Sequence, residues 1–235
     1  MRQEGTKESN QSLSTTVKRL EPIDQAFFTV DEATFLQFQT LRNHFLPPTD
    51  ELRNLLKTKT PWKAMASPNL MPPAPIMTDK WLADFDCGVT AFNDWLKYHA
   101  LGNHVAGTSH SFVLYAGANV IGYYTLSSGE ISHEVTIPRI MQNNSPKPLP
   151  VFILSRIAVD KCFHHQGIGQ ALLCDAMIRV VNAAVNAGVF ALLVHTTSEQ
   201  VRQFYLSRGF IEWPLQTMTL VMTLETVRSI LEEPN

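Results

Sequence analysis

The residues best equipped to do chemistry lie between Leu154 and Leu173, in the stretch LSRIAVDKCFHHQGIGQALL. A short apolar run ends at Asp160, Gln166-Gly167-Ile168-Gly169 follows, and a helix-forming run begins at once. Glycines between a strand and a helix let backbone N–H groups point at an anion, and the helix N-terminus adds its positive dipole end. The spacing describes a phosphate cradle and implies a pyrophosphate-bearing cofactor. No Lys-Ser or Lys-Thr follows the second glycine, which excludes a Walker-type loop. A dinucleotide fingerprint is excluded as well, because position 172 is Leu and no acidic partner lies about 20 residues on.

Two elements must position this cradle: a strand over residues 151–159 and a long helix over 169–186. Upstream, residues 91–101 read as a helix capped by Thr90, with Phe92, Trp95 and Leu96 inward. Residues 111–115 and 120–127 are β-rich runs around Gly117-Ala118-Asn119, a hairpin signature. Residues 131–137 extend the meander, and 141–150 form a loop. Downstream come a strand (189–195), a helix (198–207), a strand (216–224) and a terminal helix. Strands that are first antiparallel and then alternate with helices give an α/β (α+β) fold, a mixed twisted central sheet with flanking helices.

The N-terminal quarter is built differently. Residues 1–26 are polar and are expected to be disordered. FFTVDEATFLQFQTLRNHF reads as a short extended piece followed by a helix, capped by Thr29 or Asp31, with Phe35, Phe38 and Leu41 at helical spacing. Pro47-Pro48 stops it. A second helix, 49–57, carries Leu52, Leu55 and Leu56, and Thr60-Pro61-Trp62 ends the unit. Residues 64–78, AMASPNLMPPAPIMT, read as a Pro- and Met-rich linker. Two short amphipathic helices bury too little by themselves, so the tethered domain is their expected partner surface.

Composition narrows the class. With 235 residues and 45% hydrophobic content, the chain suits one large globular domain with an appendage. No run of 18 or more apolar residues marks a membrane span, and the polar N-terminus lacks a secretory h-region, so a cytoplasmic location is expected. Three cysteines without a CxxC fit reduced thiols. His164 and His165 are adjacent and cannot share a helix face, so no metal site is expected. Residues 1–64 hold nine basic and eight acidic side chains, and the remainder ten and thirteen, so neither part is basic enough to announce a nucleic-acid partner by total charge.

The segment His164-His165-Gln166-Gly167-Ile168-Gly169, with Ala171-Leu172-Leu173 opening the helix, resembles the acetyl-CoA loop of the GNAT acyltransferases, Q/R-x-x-G-x-G/A. His164 stands where Gln or Arg is usual. A second frame, Gln166 to Ala171, also satisfies the pattern. Phe204-Tyr205-Leu206-Ser207-Arg208-Gly209-Phe210 matches that family's F-Y-x-x-x-G-F in full. The resemblance implies acetyl-CoA as cofactor, held by the backbone of Ile157 and Val159, by His165, Gln166, Gly167, Ile168, Gly169, Gln170 and Ala171, and by Ser198 and Phe204. Ser198 replaces the usual Asn. Tyr205 is the implied general acid, since a phenol of pKa about 10 can protonate a departing thiolate.

Further motifs resemble the toxin branch of the GNAT proteins: Phe85-Asp86-Cys87-Gly88, Leu96 after Asn93-Asp94-Trp95, Asn103, Ile121-Gly122-Tyr123-Tyr124, Leu154-Ser155-Arg156 and Leu192-Leu193-Val194-His195. That branch acetylates the α-amine of aminoacyl-tRNA and stops translation. Residues 151–159 lack the Glu or Asp that many lysine acetyltransferases of this fold use as base, although Glu130 on a neighbouring strand could act through water. An α-amine of pKa about 8 is substantially neutral without a base, whereas lysine at about 10.4 is not. A tRNA substrate requires phosphate contacts, for which Lys97, Arg156, Lys161, Arg202 and Arg208 are candidates.

Residues 27–63 resemble the C-terminal tail of the ribbon-helix-helix antitoxins encoded beside such toxins, through Phe28 to Glu32, Phe38, Pro47-Pro48, Leu52, Leu55-Leu56 and Pro61-Trp62. The expected organisation is a disordered segment (1–26), an antitoxin-like tail (27–63), a linker (64–78) and a GNAT domain (79–235). The tail is expected to hold the enzyme inactive, from the same chain or from another copy of a homodimer. No DNA binding is carried over. A general protein or small-molecule N-acetyltransferase, and a non-enzymatic acetyl-CoA-binding module, are the alternatives.

Overall fold

The computed structural model describes residues 27–43, 47–62, 70–133, 148–213 and 216–233. The expectations for residues 1–26 and for most of the 141–150 loop fall outside them. Eight strands form one sheet in the order β2-β3-β4-β5-β6-β8-β7, with β1 paired to β4 off this path. The strands are β1 (Phe27–Val30), β2 (Ala74–Pro75), β3 (His110–Ala116), β4 (Asn119–His133), β5 (Leu149–Val159), β6 (Ala191–His195), β7 (Ile211–Trp213) and β8 (Gln216–Thr223). Pairing is antiparallel except for β1–β4 and β5–β6. The mixed sheet matches the fold expected from sequence. Strand β7 has only three residues, too few for a period-2 pattern to announce it.

One face of the sheet carries α5 (Ile168–Ala187), α6 (Glu199–Leu206) and α7 (Leu224–Leu231) over a core that includes Leu114, Tyr124, Leu154, Leu172, Leu192 and Leu220. By length and composition α5 could cross a membrane, but more than half of it is buried in this domain, as a core helix is. The other face carries α3 (Thr90–Asp94), a π-helical turn (Trp95–His99) and α4 (Ala100–Ala106). Phe85, Leu96, Val113 and Tyr123 pack beneath them. Thr90 is the first helical residue and not its cap: Val89 holds the cap position and offers no side-chain acceptor.

The antiparallel hairpin β3–β4 turns at Gly117, whose φ of 61° is the left-handed conformation that glycine adopts without strain. Gly122 meets a different constraint. A Cβ there would lie 2.9 Å from Leu172 Cδ1 and 3.1 Å from the Ala158 carbonyl, so glycine is what lets α5 close on β4. Gly122→Ala is expected to cost about 1–3 kcal/mol through overpacking. Denaturant unfolding checks this; an unchanged midpoint would show that α5 can shift freely.

The N-terminal segment is part of this core. Strand β1 pairs in parallel with Glu130 to His133 of β4, beyond the point where β3 ends its pairing at Leu126, and so covers an edge that would stand open. Helix α1 (Glu32–Asn43) starts at Asp31, whose Oδ1 accepts from Thr34 N at 2.8 Å. Its Phe35 and Phe38 are buried with Ile131, Val151, Leu193 and Trp213, on the α3–α4 side of the sheet. Helix α2 (Asp50–Lys57), capped by Thr49, buries Leu52, Leu55 and Leu56 on the opposite side, among α5, α6 and α7. Arg53 and Lys57 both pair with Glu233. Thus the segment grips both faces of the sheet. Within the stretch read as linker, Leu70 bridges to Ala116, β2 pairs with β3, and Ile76 is buried.

Candidate active site

The site begins as a break in the sheet. Strand β5 pairs with β6 only from Val151 to Leu154. Its register against β4 then shifts, leaving Ser155 unmatched between Leu154 and Arg156. Such a bulge adds a residue to one strand and bends it. From Ser155 to Val159, β5 stays with β4 while β6 follows β8, and Thr196 N donates to Met218 O at 2.7 Å. Beyond Leu154 the two strands are no longer paired, which leaves a wedge between β5 and β6.

The phosphate cradle closes the end of this wedge. Asp160 caps a short 3-10 turn (Lys161–Phe163) by accepting from Cys162 N. His164 Nε2 lies 2.8 Å from the Val159 carbonyl, and Gln166 Nε2 donates to Cys162 O at 3.3 Å. These bonds hold two loop side chains back against the loop itself. His165 adopts φ 60°, the only positive φ of a non-glycine residue among the described ones, and Gly167 adopts 76°. Gly167 is the N-cap of α5, and the helix's first backbone bond runs from Ala171 N to Gly167 O. The preceding N–H groups therefore point out of the helix end, as an anion site requires. Of the two sequence frames, the one ending at Gly169 puts its glycines at this helix start.

A cavity of about 440 Å³ stands over the cradle. Gln166, Gly167, Gln170, Ala171, Ser207 and Arg208 line one side. The other side comes from the N-terminal segment, with Glu51, Asn54, Leu55 and the stretch Thr58 to Pro61. Arg208 stacks on Phe204 at 3.7 Å and donates to the Phe204 carbonyl and to Ser207 Oγ. Burial draws its pKa down, and Tyr205 offsets this in part. The cavity thus combines a helix N-terminus with a half-buried cation whose hydrogen-bond partners are neutral, which suits a phosphate-bearing ligand.

Tyr205 sits on α6 behind this cavity. Its ring packs edge-on between Phe204 and Phe210, with centroids 5.2 and 5.1 Å away. It belongs to the same buried cluster as Leu154, Leu172 and the three leucines of α2, against which Ile157 and Val159 also pack. Burial pushes the phenol pKa up, and the Arg208 charge counters it. Ser198 serves as the N-cap of α6, accepting from Val201 N at 3.3 Å.

The five basic candidates do not converge. Arg156 is buried with its guanidinium 3.5 Å from the Trp95 ring centre, on the α3–α4 face. Lys161 pairs with Asp86 at 2.7 Å. Arg202 pairs with Glu199 and Glu212. Lys97 lies half-exposed on the π-helical turn, and Arg208 faces the cradle. Sequence spacing reveals charge but not the partner that neutralises it. Glu130 lies opposite Pro150, roughly 13 Å of strand back from the Leu154 end of the wedge, and β1 pairs beside it. It stands away from the wedge.

Asp86 and Trp95, singled out from sequence only as motif or inward-facing residues, also contribute. Asp86 accepts from Lys161 Nζ, Gly88 N and Asn93 Nδ2, which hold its carboxyl below the usual carboxylate range, Lys161 most of all. It fastens the approach to α3 to the end of β5. Trp95 lies under Arg156. Neither pairing has a local sequence signal, since each partner is more than 60 residues away.

A model of the acetyltransferase (GNAT) domain matches residues 107–212. A tRNA-acetylating toxin of Mycobacterium tuberculosis is 36% identical over 150 residues, which cover 64% of this chain and 90% of that protein. The chain belongs to the GNAT acetyltransferases. This GNAT enzyme is also similar to a variant of the toxin AtaT bound to the C-terminus of the antitoxin AtaR and acetyl-CoA, at 26% identity and TM-score 0.59, over 70% of this chain and 99% of that one. AtaT complexed with acetyl-methionyl-tRNAfMet matches at 27% identity and TM-score 0.59, over 69% and 99%. Within the family, this GNAT acetyltransferase is of the AtaT and KacT toxin type. The chain is an N-acetyltransferase.

Proposed function

We propose that this enzyme moves the acetyl group of acetyl-CoA to the α-amine of an aminoacyl-tRNA, and that residues 27–62 act as a fused antitoxin-like tail that holds it inactive. The observation that carries the reading is the shared cluster in which Tyr205, the start of α5 and the α2 leucines are buried together. The tRNA-acetylating relative supports the substrate, and the AtaT–AtaR complex supports the tail.

When bound, acetyl-CoA supplies a thioester whose acyl group is activated toward an amine. Gly167 to Ala171 and Arg208 would hold its pyrophosphate, and the backbone of Ile157 and Val159 would align its thioester arm, with one N–H facing the developing oxyanion. Arg156 and Trp95 lie on the opposite face, so the acceptor amine would enter from there through the wedge. The amine nitrogen bonds to the acetyl carbon as the carbon–sulfur bond breaks. The Tyr205 hydroxyl gives its proton to the departing sulfur and recovers one from the newly acylated nitrogen. Residues 151–159 contain no carboxylate and Glu130 stands away from the wedge, so an amine already neutral near pH 7–8 is the fitting nucleophile.

The domain boundaries go with this reading: a tail of 27–63, a linker of 64–78 and a GNAT domain of 79–235, with Leu70 and β2 of the linker laid along β3. In the open state the enzyme is a homodimer in the cytoplasm, and the chain makes no DNA contact of its own. The test is transfer of labelled acetyl from acetyl-CoA to a panel of aminoacyl-tRNAs, set beside lysine peptides and polyamines, using the chain with its tail docking disrupted. Labelled aminoacyl-tRNA is expected. Labelling of lysine peptides or polyamines alone would replace the tRNA reading by a general N-acetyltransferase.

A further inference from the structure

The end of the tail does more than lie across the cofactor cradle. Thr60 lines the 440 Å³ cavity and is 7% exposed, and its hydroxyl has no hydrogen-bond partner among the described residues. A buried hydroxyl in that condition is awaiting a ligand or a water. Lys59 precedes it on the same wall, exposed to solvent. Opposite stand the N-terminus of the 20-residue α5 and Arg208, which donates to the Phe204 carbonyl and the Ser207 hydroxyl, both neutral. Among the described residues, Glu51 is the one carboxylate on the cavity wall. Two cations and a helix N-terminus against one carboxylate leave the cavity net positive.

We propose that Lys59 and Thr60 of the tail complete, with Arg208 and the N-terminus of α5, a composite pocket for the pyrophosphate of a coenzyme A-type ligand, so that ligand and docked tail hold each other in place. The tail then inhibits with the cofactor's phosphate site still in use. Arg208, counted from sequence among the tRNA contacts, belongs to this pocket. The volume left under the tail accommodates phosphate groups. An excluding lid would have filled the cradle with side chains, as Leu52 and Leu56 fill the core beside it. Coupling between ligand and tail is reciprocal: whatever the tail adds to ligand affinity, the ligand adds to tail docking. The inference rests on the acetyltransferase reading only for the identity of the ligand.

The experiment uses the full chain and needs no turnover. Calorimetric titration with coenzyme A, 3′,5′-adenosine bisphosphate, ATP and inorganic pyrophosphate separates coenzyme A from other phosphate sources. Hydrogen exchange over residues 50–62 reports the tail. Coenzyme A is expected to bind the full chain and to slow exchange in 50–62. Lys59→Ala is expected to weaken binding about tenfold, the scale of one charge-assisted hydrogen bond, and Glu51→Gln to tighten it a few-fold. Thr60→Val, which keeps the shape and removes the hydroxyl, is expected to weaken it as well. Faster exchange of 50–62 on adding coenzyme A would show competition and overturn the proposal. So would an affinity indifferent to all three substitutions, or ATP and pyrophosphate binding as tightly as coenzyme A. Failure of the tRNA assay with these results intact would overturn only the substrate reading.

Discussion

Replacing Leu52 and Leu55 by aspartate is expected to switch the enzyme on. Both side chains are buried among α5, α6 and α7, in the cluster that contains Tyr205. Each buried leucine contributes about 1.5–3 kcal/mol, and a carboxylate in its place adds an uncompensated charge. Losing two such anchors removes about 4 kcal/mol or more from docking, which raises the open fraction roughly 10³-fold at 1.4 kcal/mol per factor of ten. The tether works against this, because a linked segment sees its site at about millimolar effective concentration. A single conservative change such as Leu55→Ala is therefore expected to activate far less than the double aspartate. The measurement is acetyl transfer to aminoacyl-tRNA by the purified chain, with growth arrest on expression as the cellular counterpart. A folded double variant that stays as inert as the parent would sink the autoinhibition reading. Folding is checked by the α1 side: Phe35 and Phe38 still pack on Trp213 if only α2 has let go, so Trp213 fluorescence should stay blue-shifted.

Tyr205→Phe in that activated background is expected to lower kcat about 10²–10⁴-fold, the contribution of a positioned general acid. The fold should not notice. Tyr205 packs through its ring against Phe204 and Phe210, and its hydroxyl makes no hydrogen bond among the described residues. Stability should change by less than about 1 kcal/mol, because no buried partner is stranded. Coenzyme A affinity should also hold, since Tyr205 does not line the cavity over the cradle. A matching loss of coenzyme A binding would instead make Tyr205 a packing residue of the cofactor site. Burial raises its pKa, so the proton is in place throughout the neutral range and the loss should not depend on pH there.

The two experiments differ in what they interrogate. The first asks whether α2 and Tyr205 act as one packed unit. The second asks whether that tyrosine supplies a proton. A chain can pass either one alone: activation without dependence on Tyr205 would keep the tail and reassign the acid, with the exposed Cys162 or a water next in line.

Much of this protein is legible in one dimension. The cradle was readable because glycine φ angles and helix starts are local: Gly167 lies in the left-handed region and α5 begins one residue later. The apolar spacing of Leu52, Leu55 and Leu56, and of Phe35 and Phe38, announced buried faces because helical periodicity is also local. The fate of charge was not legible. Lys161, Arg202 and Arg156 look alike in sequence, yet one meets Asp86, one meets Glu199 and Glu212, and one lies on an indole. Glu199 is a local i,i+3 partner on α6, whereas Asp86, Glu212 and Trp95 come from other segments that only the folded sheet brings together.

The sequence by itself determined the glycine turn that starts α5 and the existence of two amphipathic helices in search of a surface. Only the tertiary structure decided that those helices grip opposite faces of the sheet, that β5 leaves β6 at the Ser155 bulge, and that Lys59, Thr60 and Arg208 meet around the cradle. The reason is one of range. Backbone conformation and periodicity are written within a few residues, whereas the walls of the cavity come from segments more than a hundred residues apart.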